Sequence, residues 1–313
     1  MKLNVIIPMY NEEGNALLMH KALTDTLKDL KYELIFINDG SKDKTYEMLK
    51  DIYANDKKHV KVINFSRNFG KDAAIYAGLA HSNAKYTVIV DGDLQQNPKY
   101  LIDMMNFLDE NDEYDAVAMV NEDRKKESGL VKVLKNGFYS FINILSDTKF
   151  KKGASDFRMF RKSVVEAILT LPENNRFSKG IFSWVGFKTK YMKYDVEERH
   201  TGKSNFNIKS SFKYAWNGII NFSVKPLKVA TVLGTLFSLF AFVYLIVILI
   251  KTLILGADVP GYPSLICVVL LLGGLNLMAV GILGEYVSKM YLEIKKRPIY
   301  VAKNKLGFDD DIL

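Results

Sequence analysis

Two aspartates separated by one glycine are the residues of this chain best suited to bind a metal ion. Asp91 and Asp93 flank Gly92, and Gln95 follows two positions later. Carboxylate and amide oxygens are the hard ligands that Mg²⁺ and Mn²⁺ prefer, and a cation held by two carboxylates keeps positions open for the oxygens of a diphosphate. Asp-Gly-Asp is also an ordinary turn sequence, so the motif predicts a metal site only if other polar residues converge on it.

Three more polar segments directly follow apolar runs of strand type. Their sequences are Pro-Met-Tyr-Asn-Glu-Glu (8–13), Asn-Asp-Gly-Ser (38–41) and Ser-Arg-Asn-Phe-Gly-Lys (66–71). Each alone can be turn chemistry, with Ser41 or Asp43 capping the next helix. In open α/β sheets, however, ligands bind beyond the carboxyl ends of the strands. Four such segments at successive strand ends therefore favour a nucleotide and divalent-metal site.

Several other kinds of site are disfavoured. The chain has no Gly-x-x-x-x-Gly-Lys-Ser/Thr phosphate loop, and no Gly-x-Gly-x-x-Gly follows the first strand, which argues against P-loop ATPases and dinucleotide dehydrogenases. One cysteine and four scattered histidines exclude a His/Cys metal centre. The net charge of +8 suggests nucleic acid, but the basic residues form no dedicated tail and many flank apolar segments. We therefore expect no nucleic-acid partner.

The polar segments must be positioned by alternating strands and helices. Short runs rich in Val, Ile and aromatic residues alternate with segments of helical length and period. This pattern predicts an α/β domain with a parallel sheet covered on both faces. The predicted strands are 3–7, 33–37, 60–65, 86–90 and 116–120, and the predicted helices are 13–30, 43–56, 70–82 and 98–109.

Two apolar stretches near the C-terminal end have the length of membrane spans. Residues 229–250 and 263–284 contain no Asp, Glu, Lys or Arg. A 22-residue helix is about 33 Å long, which matches the hydrocarbon core of a bilayer. The alternative is a pair of buried core helices, although such helices rarely lack charge on every face. The composition therefore predicts a membrane hairpin beside a charged soluble domain.

Basic residues on both sides of the hairpin predict its orientation. Lysines precede the first span, Lys and Arg follow the second, and the connecting loop has no net charge, so the N-terminal domain and both termini are expected in the cytoplasm. Residues 208–222 and 285–296 have amphipathic patterns, which predict helices on the membrane surface or packed on the soluble domain. The predicted divisions are a catalytic domain (1–207), an interfacial helix and linker (208–228), a transmembrane hairpin (229–284), and an amphipathic helix with a cytoplasmic tail (285–313).

These motifs resemble those of the polyprenyl-phosphate glycosyltransferases of glycosyltransferase family 2, a group that includes bactoprenol-phosphate glucosyltransferases and dolichol-phosphate mannose synthase. The resemblance covers nearly the whole chain. The four strand-end motifs are shared with many family 2 enzymes, whereas four later segments and the two spans are typical of the bacterial two-span subgroup. Those segments are Ser-Asp-Phe-Arg-Met-Phe-Arg (155–161), Asn-Arg-Phe-Ser-Lys-Gly-Ile-Phe-Ser-Trp-Val-Gly-Phe (175–187), Phe-Ser-Val-Lys-Pro-Leu (222–227) and Gly-Glu-Tyr-Val (284–287).

The resemblance implies a GT-A fold and a set of site residues. Asp156 would lie beside the reacting centre, and Asp93 would share the catalytic work with it. Arg199 would face the nucleotide sugar, whereas Arg124 and Lys203 would face phosphate. The nucleobase and ribose would be held by Pro8, Tyr10, Glu12 and Asp39, and the metal and diphosphate by Asp91, Asp93 and Gln95.

The sequence departs from the family pattern at two places. Asn38 replaces the first acid of the more usual Asp-Asp-Gly-Ser, which leaves Asp39 as the charged residue of that motif. In the usual Arg-x-x-Gly-x-Ser-Lys pattern, Asn205 replaces the lysine, and a lysine stands at position 203 instead. The phosphate-binding cation of residues 199–205 is therefore left open between Arg199 and Lys203.

The expected reaction is an inverting, metal-dependent transfer of a hexose, glucose or N-acetylglucosamine first, from a UDP-sugar to undecaprenyl phosphate. The metal would be Mg²⁺ or Mn²⁺, and the enzyme would work on the cytoplasmic leaflet of a bacterial plasma membrane as a homo-oligomer, with a tetramer favoured. One alternative is a processive polysaccharide synthase, which would need more spans and a Gln-x-x-Arg-Trp motif that this chain lacks. Another is an inactive, membrane-tethered binding protein, which the intact acids disfavour.

Overall fold

The computed structural model of the chain describes residues 1–120, 153–171, 173–195, 220, 223–255 and 261–308. Within them, eight strands form one mixed sheet in the order β7-β5-β6-β4-β1-β2-β3-β8. The strands are β1 (Leu3–Met9), β2 (Tyr32–Asn38), β3 (Val60–Phe65), β4 (Tyr86–Ile89), β5 (Ala116–Val120), β6 (Ala154–Arg161), β7 (Thr189–Lys193) and β8 (Ala302–Leu306). The helices are α1 (Ala16–Leu27), α2 (Thr45–Asn55), α3 (Lys71–Ala80), α4 (Lys99–Glu110), α5 (Lys162–Leu169), α6 (Ser178–Trp184), α7 (Lys225–Leu255) and α8 (Tyr262–Ile294).

The central strands are buried on both faces, which explains why they read as continuous apolar runs. In β1, the side chains of Leu3, Val5 and Ile7 pack into one cluster with α1, α2 and α4, whereas Ile6 packs into a second cluster with α3, α5 and α6. The β4, β1, β2 and β3 strands are parallel to one another, as predicted. Their carboxyl ends, and the polar loops that follow them, consequently share one edge of the sheet.

The prediction of a parallel sheet is wrong for β6 and β8, which pair antiparallel with their neighbours, whereas β5 and β7 form a further parallel pair. The β6 strand lies between β4 and β5 and is antiparallel to both, so β5 is not a direct neighbour of the parallel strands. This insertion has a functional consequence, because Asp156 belongs to β6 and is carried to the edge where the polar loops meet. The register pairs Arg158 of β6 with Ile89, the last residue of β4.

The two C-terminal helices are long and apolar enough to cross a membrane. Their most hydrophobic windows lie in Lys225–Ile248 and Val268–Ile294, and no residue of either window is buried. The alternative of core helices inside the soluble domain is therefore wrong. At 1.5 Å per residue, α7 and α8 are about 46 and 50 Å long, which exceeds the thickness of a bilayer core.

The segment after residue 284, for which the sequence predicts an amphipathic helix and a cytoplasmic tail, is described as far as residue 308. Helix α8 continues without a break to Ile294, and the tail returns to the catalytic sheet as β8, which pairs antiparallel with β3. Tyr300 stacks on Phe65 with ring centroids 4.8 Å apart. The β8 sequence, Ala-Lys-Asn-Lys-Leu, is mostly polar, so its pattern does not predict a strand. The other amphipathic segment, 208–222, lies outside the described residues except for Ile220, which is buried.

Hydrogen bonds also link α8 to the catalytic domain. The Glu293 carboxylate accepts hydrogen bonds from the backbone amides of Asn174 and Asn175, each at 3.0 Å. Nearer the apolar part of the helix, the Tyr286 hydroxyl donates to the carbonyl oxygen of Ser223 at 2.6 Å. The C-terminal part of α8 thus contacts both the catalytic domain and the segment that directly precedes α7.

Asp109 connects α4 to the beginnings of β1 and β4. Its carboxylate accepts hydrogen bonds at 2.7 Å from Lys85 and from the Tyr86 hydroxyl, and it pairs with Lys2 at 3.2 Å. The Lys85 hydrogen bond, helped by Tyr86 and Lys2, outweighs the effect of burial and holds the pKa of Asp109 well below its usual value. A lowered pKa in the folded state stabilises the protein above the unfolded pKa of about 4, and this contribution is lost as the pH falls below it.

We therefore expect Asp109→Asn to destabilise the protein by about 1 kcal/mol at pH 7, a decrease in melting temperature of about 2–4 °C. The difference from the natural protein should shrink as the pH is lowered from 5 to 3. Thermal unfolding of both proteins in detergent, across that pH range, measures it. Asp112→Asn is the matched control, because Asp112 is 95% exposed and its ion pair with Arg161 is 3.3 Å long. An equal loss at pH 7 and pH 3 would contradict the electrostatic explanation.

Candidate active site

The loops after β1 and β2 are joined by reciprocal hydrogen bonds. The Asn11 amide donates to the Ser41 hydroxyl at 2.9 Å, and the Lys42 amide donates to the Asn11 side chain at 2.9 Å. One residue further, the Glu12 amide donates to the Thr45 hydroxyl at 2.9 Å. Asn11 adopts a left-handed conformation with φ of 54°, which turns the loop back toward β2. The pairing fixes the first loop and leaves the Tyr10 side chain 40% exposed at its start.

Asn38 provides a neutral hydrogen-bonding link inside this edge. Its side-chain amide donates to Asn64 Oδ1 at 2.7 Å, and its Oδ1 accepts a hydrogen bond from the Ser41 hydroxyl. The side chain is buried, so an ionised carboxylate would carry an uncompensated charge here, and it could not donate to the Asn64 oxygen. Asparagine at position 38, in place of the more usual aspartate, therefore suits the neutral side chains of Asn64 and Ser41 that it contacts.

The Asp39 carboxylate accepts hydrogen bonds from the backbone of the loop after β3. Its oxygens lie 2.7 Å from the Phe69 amide and 3.0 Å from the Gly70 amide. Burial raises the pKa of Asp39, and these two hydrogen bonds offset part of the increase. The contacts tie the second strand-end loop to the beginning of α3. The predicted roles of Pro8, Tyr10, Glu12 and Asp39 in holding a nucleobase and ribose stay predictions.

Asp91 is locked in place by Gln96. The Gln96 side chain is buried; its amide group donates to Asp91 Oδ2 at 2.9 Å, and its carbonyl oxygen accepts from the Asp91 backbone amide at 2.9 Å. Two residues on, Asp93 Oδ1 accepts from the Gln95 backbone amide at 3.2 Å. The sequence analysis selected Gln95 as an oxygen ligand and missed Gln96. The metal role of Gln95 stays a prediction.

Lys71 joins the two acids to which the sequence analysis gave different roles. Its ammonium lies 2.6 Å from Asp91 Oδ1 and 2.8 Å from Asp156 Oδ2. Burial alone would lower the pKa of Lys71, but the two carboxylates outweigh it and hold the pKa well above its usual value. Sequence reasoning assigned no role to Lys71. The available signal was its place as the last residue of the 67–71 motif, at the start of a predicted helix.

The negative charge of Asp156 is balanced by several positively charged side chains around it. Burial would raise its pKa, but the positive charges of Lys71, Lys179 and Arg158 outweigh burial and hold it well below its usual value. Asp72, which follows Lys71 in the chain, accepts a hydrogen bond at 2.9 Å from the backbone amide of Ser178, the first residue of α6. The α3 and α6 helices are thereby connected at the ends that carry Lys71 and Lys179. Asp156 is an ionised group held in a cationic environment.

The structure brings most of the predicted site residues to one edge of the sheet. Asp39, Asp91, Asp93 and Asp156 lie on or directly after β2, β4 and β6. The predicted phosphate-binding residues Arg124, Arg199 and Lys203 lie outside the described residues. Within the described part of the chain, no group of three or more His, Cys, Asp or Glu side chains is arranged to hold a metal by itself.

Comparison with known proteins identifies the family. Residues 4–169 match the model of "Glycosyl transferase family 2". The chain is 38% identical to the uncharacterized glycosyltransferase sll0501 of Synechocystis over 98% of this chain and 96% of that protein. It is 38% identical to the bactoprenol glucosyl transferase of Shigella phage SfV (97% and 99% covered), and 37% identical to a prophage bactoprenol glucosyl transferase homolog of Escherichia coli (97% and 99% covered).

The family match covers both the parallel strands and β6, so it includes the sites of Asp39, Asp91, Asp93 and Asp156. The expected GT-A fold, built on a mixed α/β sheet, is confirmed. Together, the fold, the converging acids and the family match show that this chain is an enzyme that belongs to glycosyltransferase family 2.

Proposed function

We propose that the chain transfers a hexose, with glucose the first candidate, from a UDP-sugar to undecaprenyl phosphate. The observation that carries the proposal is the joining, in one chain, of the Asp91–Lys71–Asp156 site with two helices long enough to cross a membrane. The likeness to proteins named as bactoprenol glucosyl transferases, over nearly the full length of both chains, supports the lipid acceptor. N-acetylglucosamine is the second candidate sugar.

A divalent cation, Mg²⁺ or Mn²⁺, fits the residues at the end of β4. Asp91 and Asp93 offer hard carboxylate oxygens, and Asp91 Oδ1 already has a positively charged partner in Lys71. In this proposal, oxygens of the donor's diphosphate supply further ligands to the cation. When bound, the cation would neutralise the departing diphosphate; Asp91, Asp93 and Gln95 are the residues that would hold it.

The remaining chemistry is assigned to the protein and its two substrates. A phosphate oxygen of the acceptor attacks the anomeric carbon from the face opposite the diphosphate; the new carbon–oxygen bond forms as the bond to the diphosphate breaks, and the configuration inverts. A phosphate monoester has a second pKa of about 6 and is largely ionised at neutral pH, so the acceptor needs no strong base. The lowered pKa of Asp156 makes it a weak base and supports a role in orienting cationic groups around the acceptor.

The membrane placement follows from the same proposal. The helices α7 and α8 would cross the bilayer, with the catalytic domain and both termini on the cytoplasmic side of a bacterial plasma membrane, where polyprenyl phosphate enters from the inner leaflet. Arg124, Arg199 and Lys203 are proposed to bind donor or acceptor phosphate. A homo-oligomer, with a tetramer favoured, would enlarge a membrane part that consists of two helices per chain.

The test uses the purified full chain in nanodiscs that contain undecaprenyl phosphate, Mg²⁺ or Mn²⁺, and one nucleotide sugar at a time. We expect mass spectrometry to detect undecaprenyl phosphate carrying a single hexose, with UDP-glucose as the best donor. Reactions without lipid, and with a chelator in place of metal, are the controls. Lipid-linked chains of several sugars would identify the processive alternative, and no lipid product from any donor would contradict the proposal.

A further inference from the structure

Lys71 occupies the oxygen of Asp91 that a metal would use. Asp91 Oδ2 is committed to the buried Gln96, so Oδ1 is the oxygen that faces the site, and the Lys71 ammonium lies 2.6 Å from it. Metal–oxygen distances for Mg²⁺ are about 2.1 Å. An ammonium and a dication on the same oxygen would be only a few ångströms apart, so their positive charges would repel strongly. The two cations therefore compete for one position.

The backbone of Lys71 is fixed, whereas its side chain can move. Lys71 is the first residue of α3, and the preceding Gly70, with φ of 99°, is held by the Asp39 carboxylate. The lysine stem has four rotatable bonds, so its ammonium can leave Asp91 without any change in the helix. The side chain is 43% exposed to solvent.

Asp156 is the second carboxylate partner of the Lys71 ammonium. Its side chain is 13% exposed and lies 2.8 Å from Lys71. A carboxylate this enclosed needs a positive partner, because an unpaired buried charge is strongly unfavourable. Lys71 can therefore give up Asp91 to a dication and still keep its contact with Asp156.

We propose that Lys71 is an internal cation that holds Asp91 in place of the metal, and that divalent-cation binding releases its ammonium from Asp91 while the contact with Asp156 is kept. Lys71 thus acts as a positioning residue that couples occupation of the metal position to the charge around Asp156, beside the acceptor. The inference rests on the proposed metal-dependent transfer. It places no chemical step on Lys71.

The test measures Mn²⁺ affinity directly, from the electron paramagnetic resonance signal of free Mn²⁺, with the full chain in detergent and no donor. Lys71→Met removes the competing charge and keeps the length of the side chain, so we expect it to bind Mn²⁺ about tenfold more tightly while its transfer rate falls. Lys71→Arg keeps the charge and should bind Mn²⁺ no more tightly than the natural protein. The exposed Lys21→Met is the matched control and should change neither quantity.

A folded Lys71→Met protein with unchanged or weaker Mn²⁺ affinity would overturn the inference, because a merely structural lysine would give that result.

A second measurement uses the natural protein with ¹³C-dimethylated lysines. Mg²⁺ should shift the Lys71 methyl resonance, assigned by its absence in Lys71→Arg, and no shift at saturating Mg²⁺ would overturn the inference. Tighter Mn²⁺ binding by Lys71→Met without lipid product from any donor would support the cation competition and contradict the proposed acceptor. If the natural protein transfers hexose to the lipid but Lys71→Met does not change the Mn²⁺ affinity, the inference is contradicted and the proposed function is not.

Discussion

Asp93→Ala is expected to lower the turnover number about a thousandfold, because the proposed site would lose one of the two carboxylates that hold the dication. A metal that neutralises a departing diphosphate contributes several kcal/mol to transition-state stabilisation, and about 4 kcal/mol corresponds to a thousandfold change in rate. The deficit should persist at saturating Mn²⁺ and saturating donor. Steady-state rates of lipid product formation, measured at increasing concentrations of both, test this expectation.

Two comparisons make the Asp93 result specific. Asp51→Ala removes an exposed carboxylate from α2, away from the strand ends, and should retain full activity and stability. The melting temperature of Asp93→Ala should stay within a few degrees of that of the natural protein, since Asp93 lies in the loop after β4 and its side chain is only partly buried. Full activity of a folded Asp93→Ala protein would remove Asp93 from the proposed mechanism.

The largest effect on stability is expected at Gly40, where Gly40→Ala should destabilise the protein by about 3 kcal/mol or more. Gly40 has φ of 64°, and a Cβ atom at this position would lie 2.2 Å from the carbonyl carbon of Arg67 and 2.5 Å from the backbone nitrogen of Asn68. Both obstacles are backbone atoms, and the loop that carries them is held by the bonds from Phe69 and Gly70 to Asp39. The clash cannot be relieved by a change of rotamer. Thermal unfolding in detergent should show a decrease of roughly 10 °C.

Gly70→Ala is the matched comparison for Gly40→Ala. Gly70 also has a positive φ, of 99°, but an added Cβ would meet no atom within 4 Å. The substitution should therefore cost only the strain of a left-handed conformation, about 1–2 kcal/mol. Equal destabilisation by the two substitutions would show that the close approach of the two loops is not what requires glycine at position 40.

The parts of the fold that local sequence determines were predictable. Each of the first four strands is a largely apolar run followed by a polar loop, because most of its side chains are buried on the two faces of the sheet. This reasoning predicted the placement of Asp39, Asp91 and Asp93. It also predicted the two long apolar helices, whose composition alone distinguishes them from the rest of the chain.

The parts that depend on distant pairing were not predictable from local pattern. The insertion of β6 between β4 and β5, and the return of β8 to β3, are pairings between segments far apart in the chain. Lys71 and Asp156 are separated by 85 positions, so no spacing rule connects them. Gln96 was missed for a local reason. The backbone conformation of the turn after β4 decides whether Gln95 or Gln96 reaches Asp91. Two consecutive glutamines do not indicate which conformation the turn adopts.

The return of the tail as β8 has a consequence for the order in which the protein is made. The β3 strand leaves the ribosome early, whereas its partner emerges only after both apolar helices have been synthesised. At 5–20 residues per second, roughly 10 to 50 seconds separate residue 65 from residue 302. During this interval the hydrogen-bonding edge of β3 has no partner from its own β8 strand, and an uncovered edge is prone to pair with other chains. Completion of the catalytic sheet therefore has to wait for the synthesis of both apolar helices.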